Sequence, residues 1–318
     1  MRGMSSPRRV ILDCDPGVDD AIALYLAFAS RDQLQMLGVT TVAGNVSLPI
    51  TARNARIIRQ LTNRTDVPIY AGCSGPVVRQ AVEASHFHGT SGLGSLTTFE
   101  PTEKLASGHA VLFLIDSLLR EPAGSVSILI TGPMTNVAMA MVLEPRIKAR
   151  IQEIIFMGGA RLEGGNITAS AEYNIYADPH AAHIVCSSGV RQIALGLDAT
   201  HQVRASSACV AAIRRLGTSA AASVAQLLEF CNSLPGNRFG GLDGAPLHDP
   251  CTVAYALRPD LFAIIPCYLR VEMESGLTLG HTAVEFRADV ARPMTSHWVT
   301  HCDADGIFAL LTESLSRK

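Results

Sequence analysis

Four carboxylates stand within eight residues, Asp13-Cys14-Asp15-Pro16-Gly17-Val18-Asp19-Asp20, directly after the apolar run Val10 to Leu12. A segment of helical period follows, so the cluster occupies a strand-to-helix turn. Asp19 and Asp20 fall in the first helical turn, where free N–H groups and the macrodipole favour negative charge. That offsets only part of the repulsion, and the remainder points to a bound cation. Adjacent helical residues point about 100° apart, so the two cannot face one ion equally well. One is expected to hold the metal and the other a substrate hydroxyl. Oxygen donors, with no Cys or His at metal spacing nearby, favour calcium or magnesium over zinc.

Positioning such a turn requires a sheet edge. Short runs rich in Val and Ile alternate with longer segments of helical period, the pattern of β-α-β units closing into a mostly parallel sheet. Strands are predicted near Val10 to Asp13, Met36 to Thr41, Val67 to Ala71, Val126 to Ile130, Ile154 to Met157 and Gln192 to Leu197. Helices fit between them at Val18 to Ser30, Pro49 to Thr62, His109 to Arg120, Thr135 to Leu143 and Pro179 to Ser187. Asp178 before Pro179 reads as a helix cap. Beyond residue 200 come two Ala-rich helical stretches and a helix from Asp249. A hairpin of Ala263 to Glu272 with His281 to Ala288, and a last helix at Ala304 to Ser314, complete the chain.

Several strands end in small or polar residues: Asp13-Cys14-Asp15, Thr41 to Asn45, Thr131-Gly132 and Met157-Gly158-Gly159. In a parallel sheet these ends share one edge, where open α/β folds bind ligands. Two irregular stretches, Gly72 to Gly108 and Cys231 to Leu247, exceed the usual connection length and are read as flanks or lids of that site.

The 318 residues are 48% hydrophobic and 17% charged, enough for one large α/β domain over residues 1–318 with residues 1–8 disordered. A net charge of −2 with scattered Lys and Arg gives no footprint for nucleic acid or an anionic membrane. Eight widely spaced cysteines without a C-x-x-C pair, and a polar start without a signal-like apolar run, read as a reduced cytoplasmic protein. The most apolar helical stretch, His109 to Leu119, is too short to span a bilayer.

The acidic run resembles the signature of the inosine-uridine-preferring nucleoside hydrolase family. Thr41-Val42-Ala43-Gly44-Asn45, Thr131-Gly132-Pro133-Met134-Thr135-Asn136, Met157-Gly158-Gly159, Asn166, Glu172-Tyr173-Asn174 and His248-Asp249-Pro250 follow in that family's order, so the resemblance runs from about residue 9 to the C-terminal helix. It implies a single α/β domain with a mainly parallel central sheet flanked by helices. It also implies hydrolysis of the N-glycosidic bond of ribonucleosides, and a homo-oligomer, dimer or tetramer.

Carried over residue by residue, the resemblance gives a calcium ion to Asp15, Asp20, the Thr131 carbonyl and Asp249, completed by water and two ribose hydroxyls. Asp15 becomes the base that activates water. Asp19 goes to the ribose 2′-hydroxyl, Asn45 to the region of water and ribose, and Asn166, Glu172 and Asn174 to the 3′- and 5′-hydroxyls. Met157 packs on the sugar. Phe87, His88, Tyr173, Phe230 and His248 are expected around the nucleobase, with His248 as the acid for the leaving group.

One departure stands out. Where many relatives carry tyrosines before the His-Asp-Pro motif, this chain reads Glu229-Phe230-Cys231-Asn232-Ser233-Leu234-Pro235, and Phe230 and Phe239 can stack but not donate. Two other readings stay open: a haloacid-dehalogenase-like magnesium phosphatase, which shares Asp-x-Asp after its first strand, and a non-catalytic nucleoside or ribose binder. The phosphatase lacks its expected late Gly-Asp-x-x-x-Asp pair here, and a binder has no need of Asp15 as a base.

Overall fold

The computed structural model describes residues 6–234, 243–288 and 293–317. Strand β1 (Arg8–Cys14) feeds helix α1 (Val18–Ala29), and β2 (Leu34–Thr41) feeds α2 (Leu48–Leu61). The short β3 (Ile69–Ala71), the single-turn α3 (Ser85–His88) and α4 (Ala110–Arg120) follow. Next come β4 (Val126–Ile130), α5 (Thr135–Leu143), β5 (Ile151–Met157), α6 (Tyr173–Ala177) and α7 (Pro179–Cys186). Then come β6 (Gln192–Leu195), α8 (Leu197–Thr200), β7 (Arg204–Ala205), α9 (Ser207–Arg214), α10 (Ser219–Ser233), β8 (Ala245–Pro246) and α11 (Asp249–Leu257). The chain closes through β9 (Phe262–Val271), β10 (Thr282–Glu285), β11 (Ser296–Cys302) and α12 (Ala304–Ser316).

Among the described residues nine strands form one sheet in the order β10-β9-β11-β6-β5-β4-β1-β2-β3, and β7 pairs with β8 apart from it. From β3 through β6 to β11 all neighbours are parallel; β9 and β10 add the antiparallel margin. The chain winds outward through β2 and β3, then returns to the other side of β1 at β4. That reversal opens a crevice at the carboxyl ends of β1 and β4, the place where such sheets bind ligands. The acidic turn leaves β1 there, and Thr131 leaves β4.

Both sheet faces are covered, so the strands read as apolar runs. One core contains Val10, Leu12 and Leu129 with α1 and α10 to α12; the other contains Ile11, Ile128 and Ile130 with α4, α5 and α7. Helix α1 packs against α2, α10, α11 and α12, and its residues from Val18 to Phe28 are all buried. A helix apolar nearly all round is stable only in such surroundings. Its acidic first turn is thereby drawn below the surface with it. Asp178 caps α7 as expected, its Oδ1 accepting from the Ala181 N–H at 3.0 Å.

The structure corrects the expectation in four places. Strand β1 begins at Arg8, paired with Leu34, so the residues expected to be disordered do not extend to the eighth. The two stretches read as irregular contain α3 and β8, and α6, before α7, and α8, after β6, are further short helices. The first β-strand of the expected hairpin lies at Phe262–Val271 and the second is only four residues long. Strand β11 was not expected at all. A register shift between Val299 and His301 breaks its alternation, which hides the period-2 signal. Among the described residues no helix is long and apolar enough to cross a membrane.

Candidate active site

The carboxylates of the turn diverge as helical geometry demands. Asp20 turns back under the turn: its Oδ2 accepts from the Gly17 N–H and from Asn45 Nδ2, both at 3.0 Å. Its Oδ1 accepts from the Thr131 hydroxyl at 2.8 Å and from the Asp15 N–H at 3.3 Å. Asp19 faces the other way, and its Oδ2 accepts from the backbone N–H groups of His248 and Asp249 at 3.0 and 3.3 Å. Asp249 itself shares a hydrogen bond with Asp20. Four carboxylates, from the turn after β1, from α1 and from α11, thus lie near the carboxyl ends of β1 and β4.

Asp15 is held at the centre. Its Oδ2 accepts from the Asn45 N–H at 2.7 Å, and its backbone carbonyl accepts from Asn45 Nδ2 at 3.1 Å. Its other oxygen, Oδ1, is buried without a hydrogen-bond partner. Gly44 and Gly132 flank this carboxylate so closely that a Cβ at either would collide with it. Only glycine leaves room there.

Asp13, Asp15 and Asp20 are fully buried, and Asp249 and Asp19 are only 5% and 9% exposed, so water screens none of them effectively. Among the described residues none of the five is in an ion pair. Burial, then the charge of Asp20, pushes Asp15 well above the usual carboxylate range. Burial followed by Asp20, Asp19 and Asp15 does the same to Asp249. Burial raises Asp19 to about 7 against the two N–H groups it accepts from. Carboxylates packed this way without a positive partner favour protonation or a cation.

Among the described residues no three His, Cys, Asp or Glu side chains are gathered as a ready-made metal cluster. Asp20 is committed to four donors and to Asp249. The donor set still fits a hard cation: an orphaned carboxylate oxygen on Asp15, two further buried carboxylates and a nearby carbonyl, all oxygen.

The residues assigned to ribose take mixed roles in the structure. Asn45 bridges Asp15 and Asp20 and does not cap α2, which Ser47 precedes. Asn174 Nδ2 donates to the Thr131 carbonyl at 2.8 Å and lies 3.2 Å from the Met157 carbonyl, joining the ends of β4 and β5. Glu172 is a helix cap: its Oε1 accepts from the Asn174 N–H, and its Oε2 from Gly159 and Ile175. Asn166 is exposed, its Oδ1 accepting from the Tyr173 N–H at 2.8 Å.

On the far side, His88 Nδ1 accepts from the Val18 N–H at 3.2 Å, so its ring seals the start of α1. Burial, with His86 nearby, pushes it down to about 3. His248 Nδ1 lies 2.8 Å from the Thr200 hydroxyl, and burial, then His201, His88 and Arg204, pushes it too down to about 3. Both imidazoles are neutral near pH 7. Phe87 packs edge-on against His88. The Tyr173 hydroxyl is 2.7 Å from the carbonyls of Gly44 and Val82, and Phe230 lies tight against Gly94. Phe239 falls outside the described residues.

Residues given no role in the sequence reading complete the support. Asn136 Nδ2 donates to Asp13 Oδ1 and to the Thr41 carbonyl while its Oδ1 accepts from the Cys73 N–H. Thr40 also donates to Asp13, whose other oxygen is unpaired; burial holds that carboxyl at about 7. Asn54 ties the Pro16 carbonyl to that of Ser91, fastening the loop after α3 to the acidic turn. Their common signal is a short polar side chain one strand or turn away from an acidic strand end.

The sequence pattern of the inosine-uridine preferring nucleoside hydrolases matches residues 10–309. The inosine-uridine preferring nucleoside hydrolase of Leishmania major is 37% identical, over 98% of this chain and 98% of its own. The pyrimidine-specific ribonucleoside hydrolase RihA of Enterobacter sp. (strain 638) is 39% identical over 97% of each chain. The solved purine-preferring ribonucleoside hydrolase from Gardnerella vaginalis superposes with a TM-score of 0.90 at 31% identity, covering 97% of this chain and 98% of that one. Matches of this extent displace the phosphatase reading. The chain belongs to the inosine-uridine preferring nucleoside hydrolase family and is an enzyme that hydrolyses N-glycosyl compounds.

Proposed function

We propose that this enzyme cuts ribonucleosides into ribose and free base with a calcium ion held by Asp15, Asp20, Asp249 and the Thr131 carbonyl, and with Asp15 as the base. The observation that carries this reading is the buried, unpaired Oδ1 of Asp15 among carboxylates that lack a positive partner. When bound, calcium supplies the positive charge that anchors the ribose diol and lowers the pKa of water.

Asp15 takes a proton from the attacking water, whose oxygen bonds to C1′ as the C1′–N bond breaks. Asp19 accepts from the ribose 2′-hydroxyl. Asn45, Asn166, Glu172, Asn174 and Met157 shape the sugar site, and the carboxylates stabilise the sugar as it becomes cationic. The departing base keeps the electron pair of the broken bond. His248 stands on that side as the donor that meets it, with Phe87, His88, Tyr173 and Phe230 around the base.

We further propose a role in nucleoside salvage, a cytoplasmic location and a homo-oligomer. All eight cysteines are free, and Leu112, Leu119, Val142 and Leu143 are exposed on the adjoining α4 and α5. Cell fractionation and light scattering check the last two.

The test of the reaction is a panel of uridine, cytidine, inosine, adenosine and guanosine, with phosphate monoesters as controls. Free base and ribose are expected in equal amounts from at least one nucleoside, with no phosphate released. Binding of nucleosides without base release from any of them identifies a binder and refutes the reading.

A further inference from the structure

Among the described residues, His248 has one side-chain hydrogen-bond partner, the Thr200 hydroxyl at 2.8 Å from Nδ1. Thr200 is fully buried at the end of α8, and among the described residues Nδ1 is the one acceptor its hydroxyl meets. Two arrangements satisfy the distance. If Nδ1 carried the proton and donated, the hydroxyl proton would be buried without an acceptor, which is the costly arrangement. If the hydroxyl donates, Nδ1 is the lone-pair nitrogen and the ring proton must sit on Nε2.

The surroundings hold the ring in place. The backbone N–H of His248 is fixed by Asp19 Oδ2 at 3.0 Å. The ring of His201 covers His248 with centroids 5.6 Å apart and a tilt of 58°, and His201 Nδ1 is itself 3.0 Å from Glu163 Oε2.

We propose that Thr200 is a positioning residue for the leaving group: its hydroxyl fixes His248 as the Nε2–H tautomer, so the ring edge away from Thr200 presents a donor to the departing nucleobase. This rests on the role given to His248 above. It supplies a donor on a side where Phe230 has none. The base departs with the C1′–N electron pair, and the Nε2–H hydrogen bond stabilises the charge it gathers.

The experiment uses the full-length enzyme with calcium present, and compares Thr200→Val, Thr200→Ser and His248→Ala. Substrates are the best nucleoside of the panel and 4-nitrophenyl β-D-riboside, whose phenolate leaves without a donor. Thr200→Val is expected to lower kcat on the nucleoside by ~10 to 10², less than the ~10² to 10⁴ of losing acid–base catalysis outright because the ring remains, and on the nitrophenyl riboside by less than about threefold. Thr200→Ser restores the nucleoside rate. In ¹⁵N spectra of histidine-labelled protein, His248 of the wild type is neutral and protonated at Nε2, and Thr200→Val gives a mixture of tautomers.

Protonation of wild-type His248 at Nδ1 overturns the proposal, as do equal losses on both substrates or failure of the serine variant to restore the nucleoside rate. If the wild type cleaves no nucleoside, the reading of the reaction fails instead, while the ¹⁵N spectrum still reports the tautomer. If His248→Ala loses nothing selectively on the nucleoside, the role of His248 falls and this inference with it.

Discussion

2′-Deoxyuridine is expected to be hydrolysed at least ~10⁴ times more slowly than uridine, because a site built to hold a hydroxyl rejects the analogue that lacks it. The expectation follows from Asp19. That carboxylate is 9% exposed and its Oδ2 is occupied by the N–H groups of His248 and Asp249, so it is fixed in place before substrate arrives. A ribose 2′-hydroxyl can donate to its remaining acceptor capacity; a methylene cannot. The deoxy sugar would bury Asp19 with an unmet acceptor and would also lose an oxygen for the ion. Steady-state kcat/KM for the two substrates is the measurement, and ratios within tenfold would contradict the assignment of Asp19.

Asp15→Asn is expected to lower turnover by ~10² to 10⁴, the usual span for general base catalysis, while leaving the fold intact. The asparagine can keep its oxygen on the Asn45 N–H, where Asp15 Oδ2 now accepts at 2.7 Å. Its amide nitrogen then replaces the unpaired Oδ1, which removes the group that would accept a proton. One of the mutually repelling buried carboxylates disappears with it, so the thermal midpoint of the metal-free protein should hold or rise. Near-normal kcat in a variant with an unchanged circular dichroism spectrum would refute Asp15 as the base.

Much of this was legible in the sequence because strand, turn and helix signals coincided at the acidic run. The alternation of apolar runs and helical periods located β1, β2, β4, β5 and β6, and the strand ends were correctly read as sharing one edge. The divergence of Asp19 and Asp20 followed from helical geometry alone. What stayed hidden depends on partners distant in the chain. The bulge in β11 erased its alternation, and only pairing with β6 and β9 makes it a strand. Glu172 caps α6, and sequence spacing alone cannot separate that role from the ribose contact expected of it. Thr200 has no charge and no motif; its meaning arises from His248, 48 residues away.

The measurement that bears most directly on this account is metal content set beside activity. Calcium should bind at one ion per chain, raise the thermal midpoint by mass action, and restore base release to enzyme stripped by a chelator. Asp249→Asn should weaken that binding together with activity. Full nucleoside hydrolysis by protein shown by elemental analysis to be free of metal would contradict the account at its centre.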